Sequence, residues 1–242
     1  MRTLTLIVSV VLTCYILMVV LFFNDNRAEG ECEGIHIAIL DSLDKRFVND
    51  KEIQGFLKGT NINPNGKDMS SVNTEAIEQS LQKNPMLREV EVYKTPSGKV
   101  RVDVIQKIPI MRIMGTHGNF YLDKDGDVMP TSSRFAAHVP VVTGYVEKEF
   151  AKQQLYDFAK FLQDDRFWRS QIEQIYVDQN LDVELIPRVG SHRIILGSLD
   201  HYHEKLNNLM LFYRQAVPYV GWNRYSTINL KFKNQIVCTK RK

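Results

Sequence analysis

The sequence predicts an α+β protein, in which a single N-terminal transmembrane helix is followed by a β-α-α-β-β unit and by a mixed β-rich domain with flanking helices. Three observations predict this arrangement. Residues 4–23 carry no charge, residues 35–109 combine two amphipathic helical patterns with three strand patterns, and residues 110–237 hold a larger set of short strands and helices. At about 100–200 residues per domain, a chain of 242 residues accommodates one large domain or two small ones.

The composition is that of a globular protein. Apolar residues make up 44% of the chain and charged residues 24%, which excludes a mainly disordered chain. The net charge of +3 gives no reason to expect nucleic acid as a partner. Three cysteines are too few for a fold built on disulfides.

Residues 4–23 predict the membrane anchor. At 1.5 Å per residue, this uncharged stretch forms a helix of about 30 Å, which is enough to cross the hydrocarbon core of a bilayer. A cleaved signal peptide is the alternative, but its apolar region is usually only about 7–15 residues long and ends at a pair of small residues. Residues 22–26 offer no such pair. We therefore expect Leu4–Phe23 to stay in the lipid bilayer.

The residues that flank this span predict its orientation. Arg2 and the amino terminus make the short side positive, whereas residues 25–33 are net acidic. The positive-inside rule places residues 1–3 in the cytoplasm and the bulk of the chain on the far side of the membrane, as in a single-pass protein. Cys32 and Cys238 would then share an oxidising compartment, where they could form a disulfide or stay free.

The first folded unit follows a polar linker at residues 24–34. A strand is predicted over residues 34–41 by its β-branched alternation. A helix begins after Asn49, which forms a capping box with Glu52, and it ends at Gly59. The predicted apolar face of this helix consists of Ile53, Phe56 and Leu57.

A second helix and a β-hairpin complete this unit. The helix spans residues 73–83 and stops before Pro85. Valines then alternate with polar residues on both sides of a turn at residues 95–98, which is typical of a hairpin with one buried face. Pro109 marks the exit, so that the unit covers residues 35–109.

The second domain, residues 110–237, is predicted from short strands and two apolar helical stripes. A hairpin turns at residues 123–127, and Pro218 is expected to end the last helix. The remaining residues 238–242 form a basic tail, of which we expect residues 240–242 to be loosely ordered. The predicted strands cover residues 110–114, 173–177, 181–186, 192–196 and 226–237, and the predicted helices cover residues 151–162 and 200–217.

Few residues are arranged for chemistry. Residues 123–127 resemble the start of an EF-hand loop, but the glycine stands at the fourth loop position instead of the sixth, so a hairpin turn is the better interpretation. His201 and His203 are two residues apart on a helix and point to different sides of it, which argues against a shared metal. No catalytic, cofactor or metal site is therefore expected, and we predict that the chain is not an enzyme.

Aromatic residues near the C-terminus are the strongest candidates for a binding surface. Phe167, Trp168, Tyr219, Trp222 and Tyr225 are of residue types that are frequent at interface hot spots. Packing in the core or in loops is the alternative interpretation.

Five segments, taken in order, resemble the FtsQ/DivIB family of bacterial cell-division proteins. The resemblance implies a POTRA domain at residues 35–109 and a β domain at residues 110–237. It implies a non-enzymatic scaffold of the divisome, enriched at the division septum. Implied partners are bitopic coiled-coil proteins of the FtsL and FtsB (DivIC) type and, through them, septal peptidoglycan synthases. The segments are Asn84–Val92, Val100–Ile113, Gly118–Met129, His138–Gly144 and Ser226–Phe232.

The alternatives to this scaffold are a POTRA-type transport or chaperone protein that handles unfolded exported chains, and a membrane-anchored periplasmic enzyme. The first should carry several POTRA units or a membrane barrel. The second should carry a nucleophile or metal signature. Neither feature is recognisable in the sequence.

The last predicted strand is the expected docking edge, because an edge strand has free backbone groups. By the resemblance, the FtsB-type partner adds a strand there. Asn229, Lys231 and Phe232 replace an acid, an arginine and a tyrosine of the family pattern, which puts any ion pair of the family at this point in doubt. The predicted partner-binding residues are Trp222, Tyr225, Ile228, Leu230, Lys231, Phe232 and Asn234.

Overall fold

A computed structural model describes residues 10–19, 30–40 and 47–242 of the chain. Residues 10–19 are helical, and the rest of the predicted span 4–23 lies outside the described residues, as does most of the predicted linker. Among the described residues, no helix combines the length and the apolar character that crossing a bilayer requires.

The chain divides into two compact units. The first ends at Gln106, and the second begins at Lys107 and also includes Phe47. The bounds 35–109 and 110–237 remain predictions of which segments fold independently.

The first unit has the predicted β-α-α-β-β order. Its central strand is β3, which pairs in parallel with β1 and antiparallel with β2. The elements are β1 (Gly34–Ile39), α1 (Asp50–Lys58), α2 (Thr74–Gln82), β2 (Leu87–Lys94) and β3 (Lys99–Gln106).

The predicted capping box begins α1. The Asn49 side chain accepts a hydrogen bond from Glu52 N at 3.0 Å, and the Glu52 carboxylate accepts one from Asn49 N at 3.1 Å. Both bonds satisfy backbone donors that a helix start leaves free. The predicted apolar face is wrong at Phe56, which is 47% exposed because it points away from the sheet that buries Ile53 and Leu57.

The second unit is built on a nine-stranded sheet with the order β12-β11-β10-β9-β8-β7-β4-β5-β6. Helices pack on one face of this sheet and enclose the core with it. The strands are β4 (Pro109–Gly115), β5 (Gly118–Asp123), β6 (Val128–Pro130), β7 (Val141–Gly144), β8 (Ile172–Val177), β9 (Val183–Pro187), β10 (Arg193–Gly197), β11 (Tyr225–Asn229) and β12 (Val237–Lys240).

The helices of the second unit follow the predicted apolar stripes, with two differences. The first predicted helix begins with a π-helical segment, Ala151–Leu155, and becomes α-helical from Tyr156, yet the whole stripe stays buried. Pro218 does not end the last long helix, which stops at Gln215; it lies in the first turn of a short helix, where its missing N–H costs nothing. The helices are α3 (Lys148–Phe150), α4 (Tyr156–Asp164), α5 (Arg166–Gln171), α6 (Tyr202–Gln215) and α7 (Val217–Val220).

The predicted strand 226–237 is wrong as a single element. The chain reverses between Asn229 and Val237, so that β11 and β12 form an antiparallel hairpin. The predicted basic tail at residues 238–242 begins inside β12, and the expected loose order of residues 240–242 is wrong at Lys240 and Arg241. Lys240 is the last residue of β12, and Arg241 N continues the pairing with a 3.1 Å hydrogen bond to Arg224 O.

Candidate partner-binding edge

The C-terminal hairpin forms one end of the nine-stranded sheet. β11 pairs in parallel with β10 and antiparallel with β12, with Ile228 opposite Cys238. In the part of the chain that the structure describes, no further strand pairs with β12, which is last in the sheet order. A strand in this position has backbone N–H and C=O groups available to another strand.

The backbone of Cys238 faces the open side of β12. Leu230 N donates to Ile195 O at 2.9 Å, so Leu230 turns its backbone groups towards β10. Asn229 therefore turns towards β12, where it lies opposite Val237. Successive residues of a strand point their backbone groups to opposite sides. Val237 thus faces β11, and Cys238 presents its N–H and C=O to the open edge.

Two of the predicted partner-binding residues lie in the core. Ile228 is 1% exposed and Leu230 is 3% exposed. Both belong to the cluster that the sheet and the helices enclose. The role of Ile228 and Leu230 in partner binding stays a prediction. That role would be indirect, because the two buried side chains fix the position of β11 and its hairpin.

Three other predicted residues lie on the loop that joins β11 to β12. Phe232 is 49% exposed, and Asn234 adopts the left-handed conformation at φ 60°. Lys231 forms an ion pair with Asp182, whose hydrogen bond and charge raise the pKa of the Lys231 ammonium. This loop and the start of α6 enclose a cleft of about 410 Å³ that also contains Asp200 and Glu204.

Trp222 and Tyr225 belong to a separate aromatic cluster at the base of the hairpin. The Trp222 ring stacks on His192 with centroids 6.3 Å apart and lies 5.0 Å from the ring of Tyr213. Tyr225 lies 5.9 Å from the ring of Phe212. The predicted residues therefore fall into three groups: the core, the loop and this cluster.

A buried histidine holds the aromatic cluster together. His192 Nε2 and the Tyr213 hydroxyl are 2.7 Å apart, within hydrogen-bond distance. Burial lowers the pKa of His192, and it raises the pKa of Tyr213. Both groups are therefore held in their neutral forms at neutral pH.

The acidic hairpin tip at residues 123–127 and the two cysteines outside the predicted span have ordinary structural environments. Residues 123–127 form the predicted hairpin turn, in which the buried Asp123 carboxylate accepts from Asp125 N at 3.0 Å and from Asp127 N at 2.8 Å. Cys32 and Cys238 are free thiols, and burial raises the pKa of Cys238. Within the described ranges, no group of three or more acidic, His or Cys side chains is placed to hold a metal ion.

Comparison with known sequences gives two family matches. Residues 108–239 match the family described as FtsQ/DivIB, C-terminal related, and residues 30–105 match the POTRA-like domain. The first match alone covers more than half of the chain. The chain belongs to the FtsQ/DivIB family. The predicted family is therefore confirmed.

Two curated relatives are each named Cell division protein FtsQ. The one from Geotalea daltonii is 24% identical over 186 residues, which are 72% of this chain and 66% of the relative. The one from Rhodothermus marinus is 25% identical over 185 residues, which are 71% of this chain and 67% of the relative. The chain thus spans about two thirds of the length of the relatives that it matches.

Sequence reasoning missed the edge strand of this FtsQ/DivIB chain. The sequence pattern predicts a strand end at Val237 and a tail from Cys238, whereas both residues belong to β12, which carries the open edge. It also missed a second cleft of about 410 Å³ beside the hairpin loop, in which Leu211 of α6 is half exposed. The available signal was Asn234, a residue that tolerates the left-handed conformation of turns, followed by the strand-forming Ile236 and Val237.

Proposed function

We propose that this chain is a non-enzymatic scaffold of the bacterial cell-division machinery. In this proposal, residues 4–23 anchor it in the inner membrane, and both folded units act in the periplasm at the division septum. Family membership and the name of the two relatives support the division role. The observation that carries the proposal is the open edge of β12, because an exposed edge supports binding and needs no catalytic group.

The proposed partners are FtsL and FtsB (DivIC)-type bitopic coiled-coil proteins, which would connect the scaffold to septal peptidoglycan synthases. A partner segment that adds a strand to β12 would bond to the outward N–H and C=O of Cys238. Lys233 and Lys240 are exposed on this hairpin and would favour an acidic partner segment. Strand addition takes its affinity from main-chain hydrogen bonds and its specificity from side-chain pockets.

The side-chain pockets would be the two neighbouring clefts that the hairpin loop and α6 line together. Phe232 lines the first, and Leu211 and Phe212 line the second, so apolar surface lies beside an edge that offers backbone hydrogen bonds. An apolar partner side chain next to the added strand would cover this surface. The contribution of Phe232 is therefore expected to be direct, whereas Lys231 is already paired with Asp182.

Time-lapse imaging of a fluorescent fusion tests the division role. Recruitment of the full-length fusion to the division site supports the proposal. Uniform fluorescence along the envelope would contradict it and favour the transport or chaperone alternative. Protease added to spheroplasts tests the topology, since everything beyond residue 23 should be digested.

A pair of substitutions at Cys238 tests the docking edge. Cys238→Pro removes the outward N–H while the ladder to β11 keeps its hydrogen bonds, and prolines are tolerated at edge positions of this kind. Cys238→Ala removes the thiol but keeps the N–H. The proline variant should weaken binding of the purified FtsB-type partner by at least about tenfold, because main-chain bonds and strand alignment are lost together. The alanine variant should bind as the unaltered chain does.

A second pair of substitutions tests whether partner binding depends on Phe232 of the hairpin loop or on any exposed aromatic residue. Phe232→Ala should weaken partner binding, whereas Tyr219→Ala should not, although Tyr219 is 89% exposed. Unchanged binding by the folded Phe232→Ala and Cys238→Pro variants would move the docking site to the POTRA-like unit. The proposal for β12 would then be wrong.

A further inference from the structure

An arginine-lined cleft lies on the second unit, on elements other than the C-terminal hairpin. It has a volume of about 690 Å³ and opens where β8 begins and β9 ends. None of the predicted partner-binding residues lines it. Its polar walls come from His138, Gln163, Arg166, Arg169, Glu173 and Arg188.

The local fold brings the three arginines to one place. Arg166 and Arg169 are three residues apart on α5, so they lie on the same side of that helix. Asp165 fixes the start of α5 by accepting from Phe167 N at 2.8 Å and from Trp168 N at 3.0 Å. Arg188 follows β9.

Backbone and side-chain bonds hold Arg188 at the wall of the cleft. Its N–H donates to Gln171 O at 2.7 Å, at the end of α5. Its guanidinium lies 3.4 Å from His138 Nε2, which is a long contact with a ring that supplies no carboxylate. The arginine is thus positioned without its charge being neutralised.

Among the described residues, the arginines of the cleft have no carboxylate partner. In the described ranges, none of Arg166, Arg169 and Arg188 lies within ion-pair distance of an acidic side chain. Glu173 is the one acidic residue among the described residues that line the cleft, against three arginines. Guanidinium groups bind carboxylate or phosphate oxygens through two parallel hydrogen bonds. The cleft therefore has the charge and the donors to bind an anion.

We propose that this cleft binds an acidic peptide segment that carries at least two carboxylates. Two observations favour a peptide over a uniform polyanion. Glu173 places one negative charge on the wall, which repels the closely spaced charges of a polyphosphate more than the separated carboxylates of a peptide. Gln163 and Ser170 add neutral hydrogen-bonding groups to the wall, which suit a peptide backbone. The site is a second contact surface, independent of the edge at β12.

Fluorescence anisotropy with the full chain tests this proposal. The probe is a fluorescein-labelled peptide of alternating Glu and Gly, and the comparison peptide has Gln in place of Glu. The Glu peptide should bind, with an affinity that falls as NaCl is raised, because salt screens exposed charges. The triple variant Arg166→Gln, Arg169→Gln, Arg188→Gln should lose at least about tenfold in affinity, since charge-assisted hydrogen bonds are lost.

Two further variants make the result specific. Lys148→Gln, Lys152→Gln, Arg214→Gln removes the same charge from exposed positions outside the cleft and should bind within about twofold of the unaltered chain, because distant exposed charges are screened. Glu173→Gln should bind the Glu peptide more tightly, because it removes a negative charge beside the carboxylates.

Three results would overturn the proposal. Equal binding of the Glu and Gln peptides would remove the role of the carboxylates. An equal loss in both triple variants would show a general charge effect. Tighter arginine-dependent binding of hexametaphosphate or of phosphatidylglycerol vesicles than of the Glu peptide would assign the cleft to a polyanion or a lipid headgroup instead.

Discussion

Two of the β-hairpins of this protein, β2–β3 and β11–β12, differ in how visibly the sequence encodes them. β2 and β3 are eight residues each and are joined by a short turn that contains Pro96 and Gly98. β11 and β12 have five and four residues, and the segment between them, residues 230–236, contains neither Gly nor Pro. The sequence pattern predicts the first hairpin, whereas for the second it predicts a single strand over residues 226–237.

The difference shows what a turn must supply. In the first hairpin, Gly98 takes the left-handed conformation at φ 72°, and its N–H donates to Thr95 O at 3.2 Å. In the second, Asn234 takes φ 60°, and the Asn229 side chain accepts from Lys231 N at 2.9 Å. In the second hairpin, asparagines therefore supply both the left-handed residue and the hydrogen bond within the turn. Because no Gly or Pro marks this turn, the alternation of apolar residues continues past the end of β11 and hides the reversal of the chain.

The largest expected effect is at the buried centre of the C-terminal hairpin. Ile228→Ala should lower the free energy of unfolding of the second unit by about 2–5 kcal/mol, because it leaves a cavity in the core. Thr227→Ala, on the outer face of the same strand, should change it by less than about 0.5 kcal/mol. Chemical unfolding followed by circular dichroism measures both. Equal costs would mean that β11 has no core-facing side.

Substitutions at the left-handed residue of each turn test how much the stability of each hairpin depends on that residue. Gly98→Ala should cost about 1–2 kcal/mol, because a side chain in the left-handed conformation is strained. The reverse type of change, Asn234→Gly, should alter the free energy of unfolding by less than about 0.5 kcal/mol, since asparagine already tolerates that conformation. A neutral Gly98→Ala would show that the first turn does not depend on glycine.

The smallest expected effect is on the pH dependence of stability, because acidification should destabilise the second unit more than the first. Burial lowers the pKa of His192 below its ordinary 6.5, and the charge of Arg241 lowers it further. The unfolded chain therefore takes up a proton near pH 6.5 while the folded chain does not. The stability that the neutral imidazole provides is complete above pH 6.5 and is lost as the pH falls below it.

Unfolding midpoints between pH 7.5 and 5.5 measure this effect. The second unit should lose stability over that range, and His192→Gln should reduce the loss. His203→Gln, at an exposed position on α6, should leave the loss unchanged. The first unit contains one histidine, His36, which is exposed, so its stability should change less over the same range. A pH response of equal size in the His192→Gln variant would assign the effect to other groups.

Most of the fold could be predicted because local signals agreed with the tertiary structure. Asn49 and Glu52 form the capping box that their spacing indicates, and the valines of β2 and β3 are buried as their alternation indicates. The candidate site could be predicted only in part. Phe232 and Asn234 lie on the hairpin loop, but the open edge belongs to Cys238, which follows a turn without glycine.

The remaining differences arise from packing that a local pattern does not contain. Phe56 fits the helical period of α1, yet the sheet covers only one side of that helix and leaves it exposed. The arginine cleft joins residues that are up to 50 positions apart, as the contact of His138 with Arg188 shows. Spacing along the chain gives no sign of such a site.

Amide hydrogen exchange at Cys238 tests the central claim most directly. The outward N–H of Cys238 should exchange quickly in the free protein, because no described strand bonds to it. On addition of the purified FtsB-type partner, exchange at Cys238 should slow by at least about tenfold, since the N–H would then be bonded within the extended sheet. Binding that leaves this amide unprotected, with new protection only in residues 34–106, would contradict the account and place the partner on the POTRA-like unit.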